Sequence, residues 1–67
     1  MKNNIKELRK KLGIRQEDIA ISLGVTRQTI NAIENEKYNP TLELAMKLAK
    51  LLNTTVEDLF ILADPKI

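Results

Sequence analysis

Arg27, Gln28, Thr29 and Asn31 lie within five consecutive positions and bring together a guanidinium fork, two carboxamides and a hydroxyl. Arginine matches the paired acceptors of guanine O6 and N7, glutamine the N7 acceptor and N6 donor of adenine, and a threonine methyl packs against thymine. Such a set suits recognition by hydrogen bonding. Groups that make and break bonds are scarce by comparison. Cysteine and histidine are both absent, which excludes disulfides, thiolate metal sites and cysteine nucleophiles, and removes the commonest general base and metal ligand. Of nine carboxylates, Glu17-Asp18 and Glu57-Asp58 form adjacent pairs, but both pairs sit at expected helix starts, where the helix dipole accounts for them. Neither an enzyme nor a cofactor is expected.

The charge points to an anionic partner. Residues 1–15 carry Lys2, Lys6, Arg9, Lys10, Lys11 and Arg15 against Glu7 alone, a net of +5, while the rest of the chain is net −3. A basic end on a nearly neutral chain fits a polyanion, although a solvated helix face would look the same. With Tyr38 and Phe60 as its only aromatic residues, the chain lacks a series of platforms for stacking unpaired bases. A duplex is the better fit. No apolar run approaches the roughly 20 residues of a membrane span, and no secretory stretch follows the opening charges, so a cytoplasmic location is expected.

Sixty-seven residues allow one domain with one modest core, and the elements that position these groups read as helices. Ile5, Leu8 and Leu12 repeat at helical spacing, with Asn4 as N-cap, Glu7 completing a capping box and Gly13 as terminator. A second helix is predicted from about Gln16 to Leu23, burying Ile19, Ala20 and Leu23, and stopped by Gly24. Thr26 caps a third whose Ile30 and Ile33 point inward. Asn35 to Pro40 is a loop. Thr41 caps a fourth helix with Leu44, Leu48, Leu51 and Leu52 on one face, and Thr55 with Asp58 caps a short fifth from Val56 to Phe60. The expected fold is all-α, a compact bundle of five short helices.

Within it, Gln16 to Asn35 has the pattern of two helices crossing steeply over a tight turn. Ala20 supplies the small residue at the crossing, and Gly24 tolerates the positive φ of the turn. Ile30 and Ile33 drop onto the first helix, with Ile19, Leu23 and Val25 closing the pocket. The stretch IRQEDIAISLGVTRQTINAIENEKYNPTLELAMKLAKLLNTTVEDLF resembles the helix-turn-helix domain of the Cro/C1 and Xre repressors, over about residues 3–60. The resemblance rests on Gln16, Ala20, Gly24-Val25, Gln28-Thr29-Ile30, Ile33-Glu34-Asn35, Lys37 and Asn39-Pro40-Thr41. It implies a five-helix, lambda-repressor-like domain that binds double-stranded DNA as a dimer and regulates transcription. The closing segment is similar to compact stand-alone members of the cytolysin-repressor type, whose tail forms a short antiparallel strand pair.

In that arrangement Arg27, Gln28 and Thr29 are the expected base readers, with Asn31 a marginal base or backbone contact. Gln16, at the start of the second helix, is placed against phosphate by the resemblance. Arg15 departs from the pattern, which has Ser or Thr there as N-cap, a loss of about 1 kcal/mol; its guanidinium is expected on a phosphate. Thr26, Asn35, Lys37, Tyr38, Asn39 and Arg9 complete the expected phosphate set, with Tyr38 equally readable as half-buried core. Glu34 is expected to orient a neighbouring Arg or Lys, or to cap a loop amide, rather than to touch DNA. Phe60, Ile61, Leu62 and Ile67 are apolar side chains in excess of the bundle's needs, so a homodimer through a tail of about residues 59–67 is expected. No small-molecule effector is expected. The competing reading is a protein-interaction module, antitoxin-like or an accessory subunit, that keeps the same fold.

Overall fold

In a computed structural model, which describes residues 1–62, the chain forms five helices and one two-stranded sheet. The order is β1 (Lys2–Asn3), α1 (Ile5–Leu12), α2 (Gln16–Leu23), α3 (Arg27–Glu34), α4 (Leu42–Leu51), α5 (Val56–Leu59) and β2 (Phe60–Ile61). The strands pair antiparallel, Lys2 opposite Ile61 and Asn3 opposite Phe60, tying the two ends of the chain together.

Three of the five helix starts, those of α3, α4 and α5, follow threonines. The hydroxyls of Thr26, Thr41 and Thr55 accept from the backbone N–H groups of Thr29, Leu44 and Asp58 at 3.1–3.2 Å, satisfying a donor that the first turn leaves free. The ends of α1 to α4 share one geometry. After α1 the Ile14 N–H reaches back to Arg9 O and the Gly13 N–H to Lys10 O, the paired bonds of a Schellman motif, with Gly13 at φ +71°. The same pair of bonds recurs around Gly24, Glu36 and Asn53, all at positive φ. Two of these four positions are therefore not glycine.

The core is made by Ile5, Ile19, Ile30, Ile33, Leu48, Leu52 and Leu59, all at most 2% exposed, with Ala20, Ala45, Ala49 and Phe60 between them. Ala45 and Ala49, small residues missing from the leucine pattern of α4, let neighbouring elements approach it. No side-chain nitrogen or oxygen buried among the described residues lacks a hydrogen-bond partner.

Four expectations change. Asn4 makes no side-chain cap; its amide donates to Asp58 O, and its backbone N–H to Leu59 O. The Ile5 N–H is instead taken by Asn3 Oδ1. Leu12, the last residue of α1, is 45% exposed rather than buried. Phe60 belongs to β2, not α5, and is 8% exposed: where β2 pairs with β1, Phe60 sits in the core. The core thus draws on Leu59 and Phe60.

Candidate nucleic-acid interface

The α2–turn–α3 unit is built from its crossing outward. Ala20 is buried where the helices approach, and Gly24, at φ +70°, lets the Val25 N–H bond back to Ala20 O at 3.0 Å. Ile30 and Ile33 anchor α3 inward, so Arg27, Gln28 and Asn31 are exposed and Thr29 is half-buried. The Thr29 hydroxyl is hydrogen-bonded to Thr26 Oγ1 at 2.9 Å. Gln16, Arg27, Gln28 and Asn31 line an open hollow of about 420 Å3. An adjoining hollow of about 450 Å3 is lined by Arg9, Arg15, Gln16, Glu17 and Arg27. Amide and guanidinium donors thus occupy one surface spanning the starts of α2 and α3, the two hollows sharing Gln16 and Arg27.

The start of α2 compensates for its missing hydroxyl cap. The Asp18 carboxylate accepts from the Arg15 N–H at 2.9 Å and from the Arg15 guanidinium at 3.3 Å. Hydrogen bonding from the Arg15 side chain, then from its backbone, holds the Asp18 carboxyl below the usual aspartate range, and the same contact raises the Arg15 guanidinium. The Arg15 side chain remains 75% exposed.

Behind this surface lies a hydrogen-bonded set that the sequence does not reveal as a unit. Glu34 Oε2 accepts from Arg9 Nε at 2.8 Å, and Glu34 Oε1 accepts from Arg9 Nη2 at 3.2 Å and Gln16 Nε2 at 3.1 Å. Arg9 Nη1 donates to Ile14 O at 3.3 Å. The Arg9 and Glu34 side chains are only 13% and 4% exposed. Arg9, expected on a phosphate, is held on Glu34 by two bonds at the edge of the hollow. Glu34 does orient an arginine, as its acidity suggested. The available signal was registry: Arg9 follows Ile5 by one helical turn and Glu34 follows Ile30 by one turn, so both side chains start beside the core.

The other expected contacts are dispersed around this centre. Asn35 caps α3, its amide donating to Asn31 O at 2.9 Å and Asn31 Oδ1 at 3.1 Å. Asn39 Oδ1 accepts from the Met1 amino group at 3.0 Å, an engagement the sequence did not suggest. Lys37 is exposed and Tyr38 is 47% exposed. In the tail, Ile61 is 44% and Leu62 70% exposed, whereas buried Phe60 is unavailable to an exposed patch, and Ile67 lies outside the described residues. Leu42 and Met46 of α4 are also exposed, at 72% and 56%. No helix among the described residues is long and apolar enough to cross a membrane.

Comparison with known proteins agrees with this geometry. Residues 5–59 match the family model described as helix-turn-helix. The chain is 52% identical over 64 residues to an uncharacterized HTH-type transcriptional regulator of Methanocaldococcus jannaschii, covering 96% of this chain and 97% of that protein. It is 46% identical over 67 residues to one from Archaeoglobus fulgidus, covering 100% and 96% of the two chains. A third, from Bacillus subtilis, is 47% identical over 64 residues, covering 96% and 97%. The helix pair, its glycine turn and these relatives lead to one conclusion: the chain belongs to the Cro/C1 (Xre) type of helix-turn-helix transcriptional regulators, a family of DNA-binding proteins and not of enzymes.

Proposed function

We propose that the protein is a transcriptional repressor that binds an inverted-repeat operator as a homodimer, with α3 in the major groove. The observation that carries this reading is the exposed, capped start of α3, where Arg27 and Gln28 stand beside Gln16 and Asn31 on one surface. A recognition helix contacts base edges with its N-terminal residues, while the preceding helix crosses the backbone. Arg27 and Gln28 read bases, Thr29 packs its methyl on thymine, and Asn31 contacts an adjoining base or sugar-phosphate. Phosphates are held by Gln16, Arg15 and the amides at the start of α2, and by Thr26, Asn35, Lys37, Tyr38 and Asn39. Arg9 serves this surface through Glu34.

One α3 covers too little groove for useful selectivity, so two copies are needed. The reduced tail patch of Ile61 and Leu62 supports pairing at that end of the molecule. Bound across a promoter, such a dimer represses by occupying the polymerase's site. Enrichment of bound sites from a random DNA library tests the reading: the expected product is an inverted repeat with half-site centres about 10 base pairs apart. Recovery of unrelated sequences at physiological salt would refute it. Repression is read separately, from a reporter carrying the recovered site.

A further inference from the structure

Glu34 presents a conflict. It lies on α3, the helix assigned to DNA, yet it carries a negative charge toward a polyanion. Its contacts resolve the conflict. A carboxylate only accepts hydrogen bonds, so the bond from Gln16 Nε2 (3.1 Å) requires Gln16 to turn its nitrogen to Glu34. The Gln16 oxygen then faces Asn31, whose Nδ2 donates to it across a long 3.5 Å. From the other end, the Asn31 backbone carbonyl, which also only accepts, fixes the nitrogen of Asn35 at 2.9 Å, and that nitrogen donates to Asn31 Oδ1 at 3.1 Å. Both ends therefore dictate one orientation for Asn31. Three carboxamides donate in one direction, ending on a charge that Arg9 clamps with two bonds.

We propose that Glu34 is a positioning residue for DNA binding: its carboxylate sets the amide polarity of Gln16, and through it of Asn31, so that the second Gln16 N–H is held for a phosphate oxygen. This rests on the DNA-facing assignment of α2 and α3 made above. A freely turning carboxamide presents its carbonyl to an anion as readily as its N–H, and the reversed state repels phosphate. Glu34 removes that state. Its burial, at 4% exposure, keeps its own charge behind the groups that meet DNA.

The sign of one measurement separates positioning from plain electrostatics. Glu34→Gln removes a negative charge and releases Arg9, and on charge alone it should tighten binding to a polyanion. Positioning requires the opposite. Wild type, Glu34→Gln, Gln16→Ala and the double variant are compared on the library-selected site, with melting curves establishing that each is folded. Expected is about a tenfold loss for Glu34→Gln, which nearly vanishes in the Gln16→Ala background because Glu34 acts through that amide. Unchanged or tighter binding by folded Glu34→Gln, or an equal loss with and without Gln16, overturns the proposal. Should Glu34→Gln not fold, the wild-type Gln16 side-chain amide decides by NMR. One proton shifted downfield by the carboxylate supports the clamp, and a pair at free-glutamine positions overturns it. A wild-type chain without site preference refutes the DNA assignment itself, whereas selective binding with additive variants refutes Glu34's role alone.

Discussion

At the scale of single residues, Arg27 and Gln28 make no side-chain hydrogen bond or ion pair among the described residues. Asn31, Gln16, Arg15 and Asn35 are already engaged. Unspent donors at the start of an exposed helix are those available to a base edge. Arg27→Ala and Gln28→Ala should each cost about 1–3 kcal/mol on the selected operator and much less on random duplex. Equal losses on both, in a gel-shift competition, would show that neither reads bases. Asp18 offers a prediction of another kind. Its carboxyl is held below the ordinary value by Arg15, so its charged form is favoured more in the folded chain than in the unfolded one. The resulting stabilisation is present above the ordinary aspartate value of about 3.9 and is lost as pH falls through the depressed folded value. Asp18→Asn should therefore flatten the acid limb of the melting temperature measured from pH 6 down to pH 2. Both partners face solvent, so the effect is a modest one.

At the scale of elements, α1 to α4 all stop by the same paired bonds while asking different residues to accept positive φ. Gly13 and Gly24 do so freely. Glu36, at φ +62°, does so at a cost of about 1–2 kcal/mol for an L side chain, partly offset in any glycine replacement by the entropy lost on folding. Glu36→Gly should therefore stabilise the chain by about 0.5–1 kcal/mol, a rise of a few degrees in Tm for a domain of this size. Gly24→Ala is the matching control. A Cβ at Gly24 would meet nothing within 4 Å, so its loss of stability isolates the backbone conformation from any clash. If thermal melts moved in the same direction for both variants, positive φ would not be what matters at these ends.

For the whole molecule, affinity depends on how many phosphates and how many copies act together. About three phosphates per subunit and two subunits give a slope of log K against log salt near −5, at about −0.9 per phosphate. A slope shallower than about −2 would mean that the backbone contacts assigned to α2 and to the loop after α3 are absent. Pairing is tested at Ile61 and Leu62, which remain exposed while Phe60 closes the core. Ile61→Asp with Leu62→Asp should leave the chain helical, render it monomeric in sedimentation, and abolish tight operator binding. A wild-type chain that is monomeric at tens of micromolar without DNA, and indistinguishable from the double variant, would remove the tail from the dimer model.

Local signals carried the helices. Threonine caps, glycine terminators and three-four spacing of isoleucine and leucine act over a few residues, so five helices and the α2–turn–α3 unit were legible from sequence, as was the outward face of α3. What failed were side chains whose partners are distant in the chain. Asn4 has the right identity for a cap but is drawn to Asp58, 54 residues away. Phe60 looked like surplus apolar surface until β1, from the opposite end of the chain, paired with β2 and turned the ring inward. Arg9 reads in the sequence as one more cation, and its pairing with Glu34, 25 residues later, is visible only in the fold. Sequence specifies propensity and period, which are local quantities. Which cation is spent, which amide is aligned and which apolar side chain stays exposed are decided by what folding brings alongside, because a hydrogen bond or a buried contact depends on spatial neighbours and not on chain order.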